Sequence, residues 1–365
     1  MVYRAIGIMS GSSLDGLDIV FAELHENAGK WSYEIGEAAC YPYEEGWIKK
    51  LGTAPSLSAL DYQLLHTEYG HYIGREVNRF IGEKQLHFKV ALIASHGHTS
   101  FHLPSKKMTA QLGDGAAIAA ETGLPVVTDL RAMDIALGGQ GAPIVPAGEK
   151  WLLGDNDYFL NLGGIANISS AKTEKRVAFD ICPANRVLNL LAGEAGKEFD
   201  AGGGMAATGS VDEKLLALLN QLDYYSQPYP KSLANDFGTD TVYPLVKKAA
   251  LSTADALRTY TEHIALQVAR ATAEIPAALA VVEKTMLVTG GGAFNDFLID
   301  RIAERLKPLS VSVRIPDASL VKYKEALVMA LIGVLRWREE YTVLSSVTGA
   351  SRDSIGGALW NGQEA

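Results

Sequence analysis

Three short glycine-rich loops, each following an apolar strand-like run, constrain this chain more than any other feature. The first is Ser10-Gly11-Ser12-Ser13-Leu14-Asp15-Gly16. The second is Asn161-Leu162-Gly163-Gly164-Ile165-Ala166-Asn167, and the third is Thr289-Gly290-Gly291-Gly292-Ala293-Phe294-Asn295. Small residues let the backbone approach a ligand closely, and successive N–H groups form an anion-binding concavity. None of the loops ends in Gly-Lys-Ser/Thr, so none is a Walker A loop. None reads G-x-G-x-x-G at the start of a helix, which disfavours a Rossmann dinucleotide site. Each loop alone reads as a tight turn. Three of them at strand ends fit two phosphate loops and a third loop for the base or ribose of ATP. They also take up part of a glycine excess, 36 of 365 residues against an ordinary share of roughly 7%.

The runs between the loops alternate strand and helix. Tyr3 to Met9 and Leu17 to Leu24 read as a β-hairpin, with Trp31 to Cys40 as a third strand. Ser58 to Leu86 has helical spacing, with Leu60, Leu64, Leu65, Ile73, Val77, Phe80 and Ile81 on the buried face. Phe88 to Ser95 is nearly all apolar and reads as a central strand buried on both faces. From Tyr158 the plan restarts: a strand to Leu162, a tight loop at Gly163 to Asn167, and a return strand from Ile168. The chain therefore reads as two similar α/β halves. Leu257, Tyr260, Ile264, Val268 and Ala271 mark an amphipathic helix. Met286 to Thr289 is a strand, and Glu325 to Arg338 a helix that Glu325 opens. Gly138 to Pro146 is the expected domain crossing, with Gly138, Gly139 and Gly141 as its hinge. Gly202 to Gly204 have no place in this scheme.

Several classes are disfavoured. No apolar run approaches about 18 residues, so no membrane segment is expected. The start lacks a basic stretch followed by a long apolar run, so no secretory signal is expected. Two cysteines, Cys40 and Cys182, make neither a disulfide framework nor a structural zinc site, and a reducing cytoplasm suits them. A net charge of −9 argues against nucleic acid as a partner. A homodimer is compatible with the sequence.

The layout resembles the actin, sugar kinase and heat-shock ATPase superfamily, and within it the anhydro-N-acetylmuramic acid kinases. The matching stretches span nearly the whole chain: MSGSSLDGLD (9–18), SHGHT (95–99), GDGAAIA (113–119), TDLRAMDIALGGQGAPIVP (128–146), LNLGGIANIS (160–169), AFD (178–180), TGGGAFN (289–295), EAL (325–327) and SVTGAS (346–351). The resemblance implies two actin-like (ribonuclease H-like) domains with mixed sheets flanked by helices and an interdomain cleft. The expected domains are 1–131 plus 346–365, and 132–345, drawing together on ATP. It implies an enzyme that opens the 1,6-anhydro bridge of anhydro-N-acetylmuramic acid with water and transfers the ATP γ-phosphoryl group to O6, in cell-wall sugar recycling. Two rival readings remain open: another sugar kinase with a conventional hydroxyl acceptor, and a nucleotide-binding regulatory protein with weakened catalysis.

By the same resemblance, Asp180 is the catalytic base that activates the water attacking C1. From the residues alone it reads equally as an Asx turn or helix N-cap. Gly11, Ser12, Ser13, Leu14, Asp15 and Gly16 would meet the ATP phosphates, with Asp15 or Asp18 facing Mg²⁺ through water. Gly163, Gly164 and Asn167 would form the second phosphate loop, and Gly290, Gly291, Gly292 and Asn295 the adenosine side. Arg131 would take the lactyl carboxylate of the sugar in a bidentate pair; the alternative is an ion pair with Asp129 or Asp134. His96, Thr99 and Glu325 are further candidates for the sugar. The family's usual Asp-Thr-Gly-Pro-Gly-Asn is here Asp180-Ile181-Cys182-Pro183-Ala184-Asn185. After Lys231-Ser232 the usual Gly and Glu give way to Ala234-Asn235-Asp236. The cluster His96, His98 and His102 lacks supporting ligands for a metal.

Overall fold

The first 42 residues form an antiparallel meander of β1 (Val2–Ser10), β2 (Gly16–Asn27) and β3 (Lys30–Pro42). On its other side β1 pairs in parallel with β4 (Leu92–Leu103), and β4 pairs in parallel with β6 (Val126–Thr128). β5 (Met108–Leu112) returns against β4, and β12 (Ala358–Trp360) closes the edge beyond β6. This computed structural model describes residues 1–11, 14–170, 177–229, 231–234, 236–275 and 283–362. Ser12 and Ser13, expected at the first phosphate loop, lie outside them.

The second sheet repeats the plan. β7 (Tyr158–Leu162), β8 (Ile165–Ser170) and β9 (Val177–Pro183) form a meander. β10 (Lys284–Thr289) lies parallel to β7, and β11 (Val311–Arg314) parallel to β10. The orders β6-β4-β1-β2-β3 and β11-β10-β7-β8-β9 are the same ribonuclease H-like arrangement twice over, the actin-like fold. The expected duplication is thus one of topology.

The chain divides into two compact units, Met1–Leu153 with Tyr323–Ala365, and Gly154–Lys322. The crossings fall at 153/154 and 322/323 rather than at the expected 131/132 and 345/346. The reason is packing. The helix Val145–Leu152 and the returning part of the helix Ala318–Trp337 both belong to the first unit. A Cβ on Gly148 would lie 2.3 Å from Val328 Cγ2, so the helices touch backbone to side chain. One residue on, Glu149 and Lys324 form a buried ion pair at 3.3 Å. The returning helix also lies on β1, where a Cβ on Gly7 would stand 1.9 Å from the Ala326 carbonyl oxygen.

In the first unit, Ile6, Ile8, Ile19, Ile93 and Val126 meet the helix Ala59–Glu83. That helix starts at Ser58, whose side chain accepts a hydrogen bond from the Asp61 amide. Its buried stripe is Leu65, Tyr69, Ile73, Val77 and Phe80; Leu60 and Leu64 are exposed instead. At about 100° per residue, Leu64 and Leu60 stand roughly 100° and 140° away from the stripe that Leu65 begins. Phe88 is also fully exposed, with φ +62, because the strand begins only at Leu92. In the second unit, Leu257, Tyr260, Ile264, Val268 and Ala271 are buried as the spacing requires, on the helix Thr253–Glu274. Among the described residues no helix is long and apolar enough to cross a membrane.

Candidate active site

In the first unit, loop one joins β1 to β2. In its described part the Leu14 amide donates to the Gly11 carbonyl at 3.3 Å, and Leu14 has φ +60. Gly16 has a structural reason to be glycine: a Cβ there would meet Tyr41 O at 2.6 Å and Cys40 Sγ at 2.8 Å. Asp15 is exposed at the loop's end. Asp18 follows on β2, in register with Met9 on one side and Cys40 on the other. Burial pushes the Asp18 carboxyl up to about 6, against a hydrogen bond from the Cys40 thiol, with the charges of Glu325 and Asp15 adding to the rise. The charges of Asp15 and Glu325 thus reach Asp18, and both Asp18 and Glu325 are half-buried.

Glu325 does not open its helix. The helix starts at Ala318, so Glu325 sits two turns in and the helix dipole no longer accounts for it. Arg131 follows β6, and the negative charge of Glu325 acts on it. Its Nε donates to His96 Nε2 at 2.8 Å, and an Nη1 hydrogen goes to the Gly141 carbonyl. The His96 ring donates its one N–H proton, from Nδ1, to the Gly97 carbonyl at 2.9 Å. Both His96 nitrogens are therefore in use, and none is left for a sugar hydroxyl. Burial and the Arg131 charge hold the His96 pKa down to about 3, so the ring stays neutral. Its role in the structure is to orient Arg131. Burial lowers the Arg131 pKa to about 10, still a cation at neutral pH. Arg131 makes no ion pair with Asp129 or Asp134 among the described residues, and its Nη2 end is left open. Thr99 is exposed on β4, accepting from Gln111 Nε2 at 3.3 Å.

Gly138, Gly139 and Gly141 belong to this same neighbourhood and are not a hinge. They wrap Asp134, which accepts from the Gly141 amide and from Thr348 Oγ1, each at 2.6 Å. A Cβ on Gly139 would lie 2.3 Å from Asp134 Oδ2. The motif residue Thr348 thus closes the loop that presents its Gly141 carbonyl to Arg131.

In the second unit, Asp180 lies within β9 and not at its end, so it caps no helix. Its Oδ2 accepts from the Leu233 amide at 2.9 Å, its own amide donates to Lys231 O, and its carbonyl accepts from Tyr224 Oη. Oδ1 has no hydrogen bond among the described residues. Burial raises the Asp180 pKa above the ordinary 3.8, with the Leu233 amide pulling the other way. Asp180 is one member of a register row across four strands: Thr289 on β10, Asn161 on β7, Asn167 on β8 and Asp180 on β9. Side chains in register share a sheet face, so four polar groups line one face just beneath loops two and three. Thr289 Oγ1 is buried with no partner among the described residues. Ile181, Cys182, Pro183 and Ala184, the altered residues after Asp180, are all buried. Burial pushes the Cys182 thiol pKa up, which leaves it inert.

Loop two is the tight connection from β7 to β8. Gly163 and Gly164 have no steric reason to be glycine: a Cβ would meet nothing nearer than 3.5 Å and 3.6 Å. Loop three differs. Gly290 has φ +82, and a Cβ there would meet Asn161 Oδ1 at 2.7 Å and Leu162 O at 2.8 Å. Asn295 caps the helix Asp296–Leu306, its Oδ1 accepting from the Leu298 amide at 3.0 Å. Gly203, with φ +74, packs there too; a Cβ would sit 2.3 Å from Asn295 Oδ1. Gly202 to Gly204 are thus the turn that backs loop three. Sequence reasoning missed Asn161, Asn185 and the Leu233 amide. Register alone brings out Asn161, and a chain reversal brings Leu233 to Asp180.

The family model described as anhydro-N-acetylmuramic acid kinase matches residues 3–362. A protein of that name from Vibrio parahaemolyticus is 33% identical over 373 residues, covering 98% of each chain. Another from Hydrogenovibrio crunogenus is 32% identical over 373 residues, covering 98% of this chain and 97% of its own. Among solved structures, the activator of the 2-hydroxyisocaproyl-CoA dehydratase from Clostridium difficile, with bound ADPNP, is 12% identical with a TM-score of 0.47. It covers 92% of this chain and 96% of that one, a likeness too slight to carry an argument.

Proposed function

This chain belongs to the anhydro-N-acetylmuramic acid kinase family, and from that membership we propose a sugar kinase that hydrolyses and phosphorylates anhydro-N-acetylmuramic acid. Water attacks C1 of the sugar and gives its proton to Asp180 Oδ1. The electrons of the broken C1–O6 bond pass to O6. O6 takes the γ-phosphoryl group of ATP, ADP leaves, and the product is N-acetylmuramic acid 6-phosphate. The observation that carries this reading is the state of Asp180: one oxygen held by a backbone amide, the other open, in a setting that raises its proton affinity. A general base needs that combination of fixed aim and raised pKa.

The remaining residues take their roles by residue type and family position. Gly11, Ser12, Ser13, Leu14 and Asp15 of loop one and Gly163, Gly164 and Asn167 of loop two bind the phosphates. Gly290, Gly291 and Gly292 serve the adenosine side, with Asn295 holding that loop's helix. Asp15 and Asp18 would hold Mg²⁺ through water, where the cation would supply neutralisation of phosphate charge. Arg131 takes the lactyl carboxylate through its open end, and His96 acts only through Arg131. Thr99 and Glu325 meet the sugar. Two free cysteines suit a reducing cytoplasm.

The test is direct. Purified protein with ATP and Mg²⁺ is offered anhydro-N-acetylmuramic acid beside a panel of ordinary amino sugars. Phosphorylation of the anhydro sugar alone supports the reading. Phosphorylation of an ordinary hydroxyl acceptor instead would make it a conventional sugar kinase, and ATP binding with no turnover would make it a regulatory protein.

A further inference from the structure

Resting on the nucleotide reading above, we infer that Asn161 and Asn185 are positioning residues that hold the phosphate hairpin and loop three at one fixed spacing. Loops two and three leave neighbouring strands, β7 and β10, one residue beyond the register pair Asn161 and Thr289. Asn185 reaches in from the first position of the helix Asn185–Gly193. Its Nδ2 donates to the Leu162 carbonyl at 2.9 Å, and its amide donates to the Gly163 carbonyl at 3.1 Å. Its Oδ1 lies against loop three, 3.0 Å from where a Cβ on Gly292 would be. Asn161 makes the complementary approach. Its Oδ1 lies 2.7 Å from the Cβ position of Gly290 and its Nδ2 3.5 Å from that of Gly163. Each carboxamide therefore borders glycines of both loops, and Asn185 is bonded to the first of them.

These contacts explain two glycines that no ligand is needed to explain. Gly290 and Gly292 are glycine because the two carboxamides and Leu162 fill the space a side chain would take. Loop three consequently cannot settle toward loop two without displacing them. A ligand that spans both loops would feel any change in their spacing, whereas a ligand that engages loop three alone would not. ADP and ATP are of the first kind and adenosine is of the second.

The experiment uses the neutral, near-isosteric variants Asn185→Leu and Asn161→Leu in the full-length protein. Each removes the carboxamide without setting a new charge beside the phosphate loops. Calorimetry reads the Kd of ADP and of adenosine, and kinetics read KM for ATP and for the sugar. We expect ADP binding to weaken and KM for ATP to rise at least tenfold. The adenosine Kd, the sugar KM and the melting temperature should stay near their wild-type values. Unchanged ADP binding in both variants, or equal weakening of ADP and adenosine, would overturn the inference while leaving the enzyme reading intact. Wild-type protein that binds neither ligand would overturn the nucleotide reading itself, and this inference with it.

Discussion

Asp180 and Asp18 are both carboxylates lifted by burial, and the lift does different things at each. At Asp180 it suits the base proposed here, a group that must be ionised to take the proton from water. Turnover therefore falls on acidification along a limb above the ordinary 3.8. Asp180→Asn should lower kcat by about a hundred- to ten-thousand-fold while KM for ATP holds, read by steady-state kinetics. Retained turnover in that variant would remove the base from the mechanism. At Asp18 the lift is a cost to the ionised carboxyl. Its folded-state pKa of about 6 lies above the unfolded 3.8, so between those values the folded chain holds more protons than the unfolded one. Stability without metal accordingly falls as pH rises through that window. Asp18→Asn removes this loss. Chemical unfolding without Mg²⁺ should show the variant gaining on wild type between pH 4 and 6 by on the order of 1–3 kcal/mol. Parallel pH profiles for the two would contradict the account.

At the scale of elements, the glycine loops divide into two kinds. Gly290 and Gly292 in loop three, like Gly16 in loop one, are demanded by neighbouring backbone and side chains. Gly163 and Gly164 are not, and the space beside them is what a phosphate group would use. Alanine at 163 or 164 should leave the fold intact, within about 1 kcal/mol of wild type, and raise KM for ATP severalfold. Alanine at 290 should cost at least about 1–3 kcal/mol for the strained φ alone, read by chemical unfolding. The same division shows what was legible in the chain. The strand–loop–strand units could be read because apolar runs and glycines are local signals. Asn161, Asn185 and Leu233 could not, since their importance arises from register between strands and from turns that no periodicity records. Leu60 and Leu64 were misread for a related reason. A helix with more than one apolar stripe does not say which stripe the sheet covers. Glu325 is misplaced because the helix begins seven residues earlier, where Asp317 caps it by accepting from the Leu320 amide at 2.9 Å, a start signal that the apolar spacing does not use.

At the scale of the whole molecule, one topology occurs twice, with a glycine hairpin at the head of each meander. The two copies have diverged in what they carry beneath the hairpin. The first has an acidic group, Asp18 with Asp15 and Glu325, beside a cation that His96 orients, Arg131. The second has the polar row from Thr289 to Asp180. A duplicated fold with unequal chemistry suits a reaction that needs both a base for water and a site for phosphates. The expected boundaries missed because the glycines at 138–141 serve Asp134, while the crossings fall at the single Gly154 and inside the helix Ala318–Trp337.

The central claim is that water attacks C1 while the bridge oxygen, released as O6, receives the phosphoryl group. Turnover of anhydro-N-acetylmuramic acid with ATP in ¹⁸O-labelled water, read by mass spectrometry of the product, tests it most directly. The account predicts one labelled oxygen at C1 and none in the transferred phosphate or at O6. Label in the phosphate, or an unlabelled C1 oxygen before exchange sets in, would contradict it.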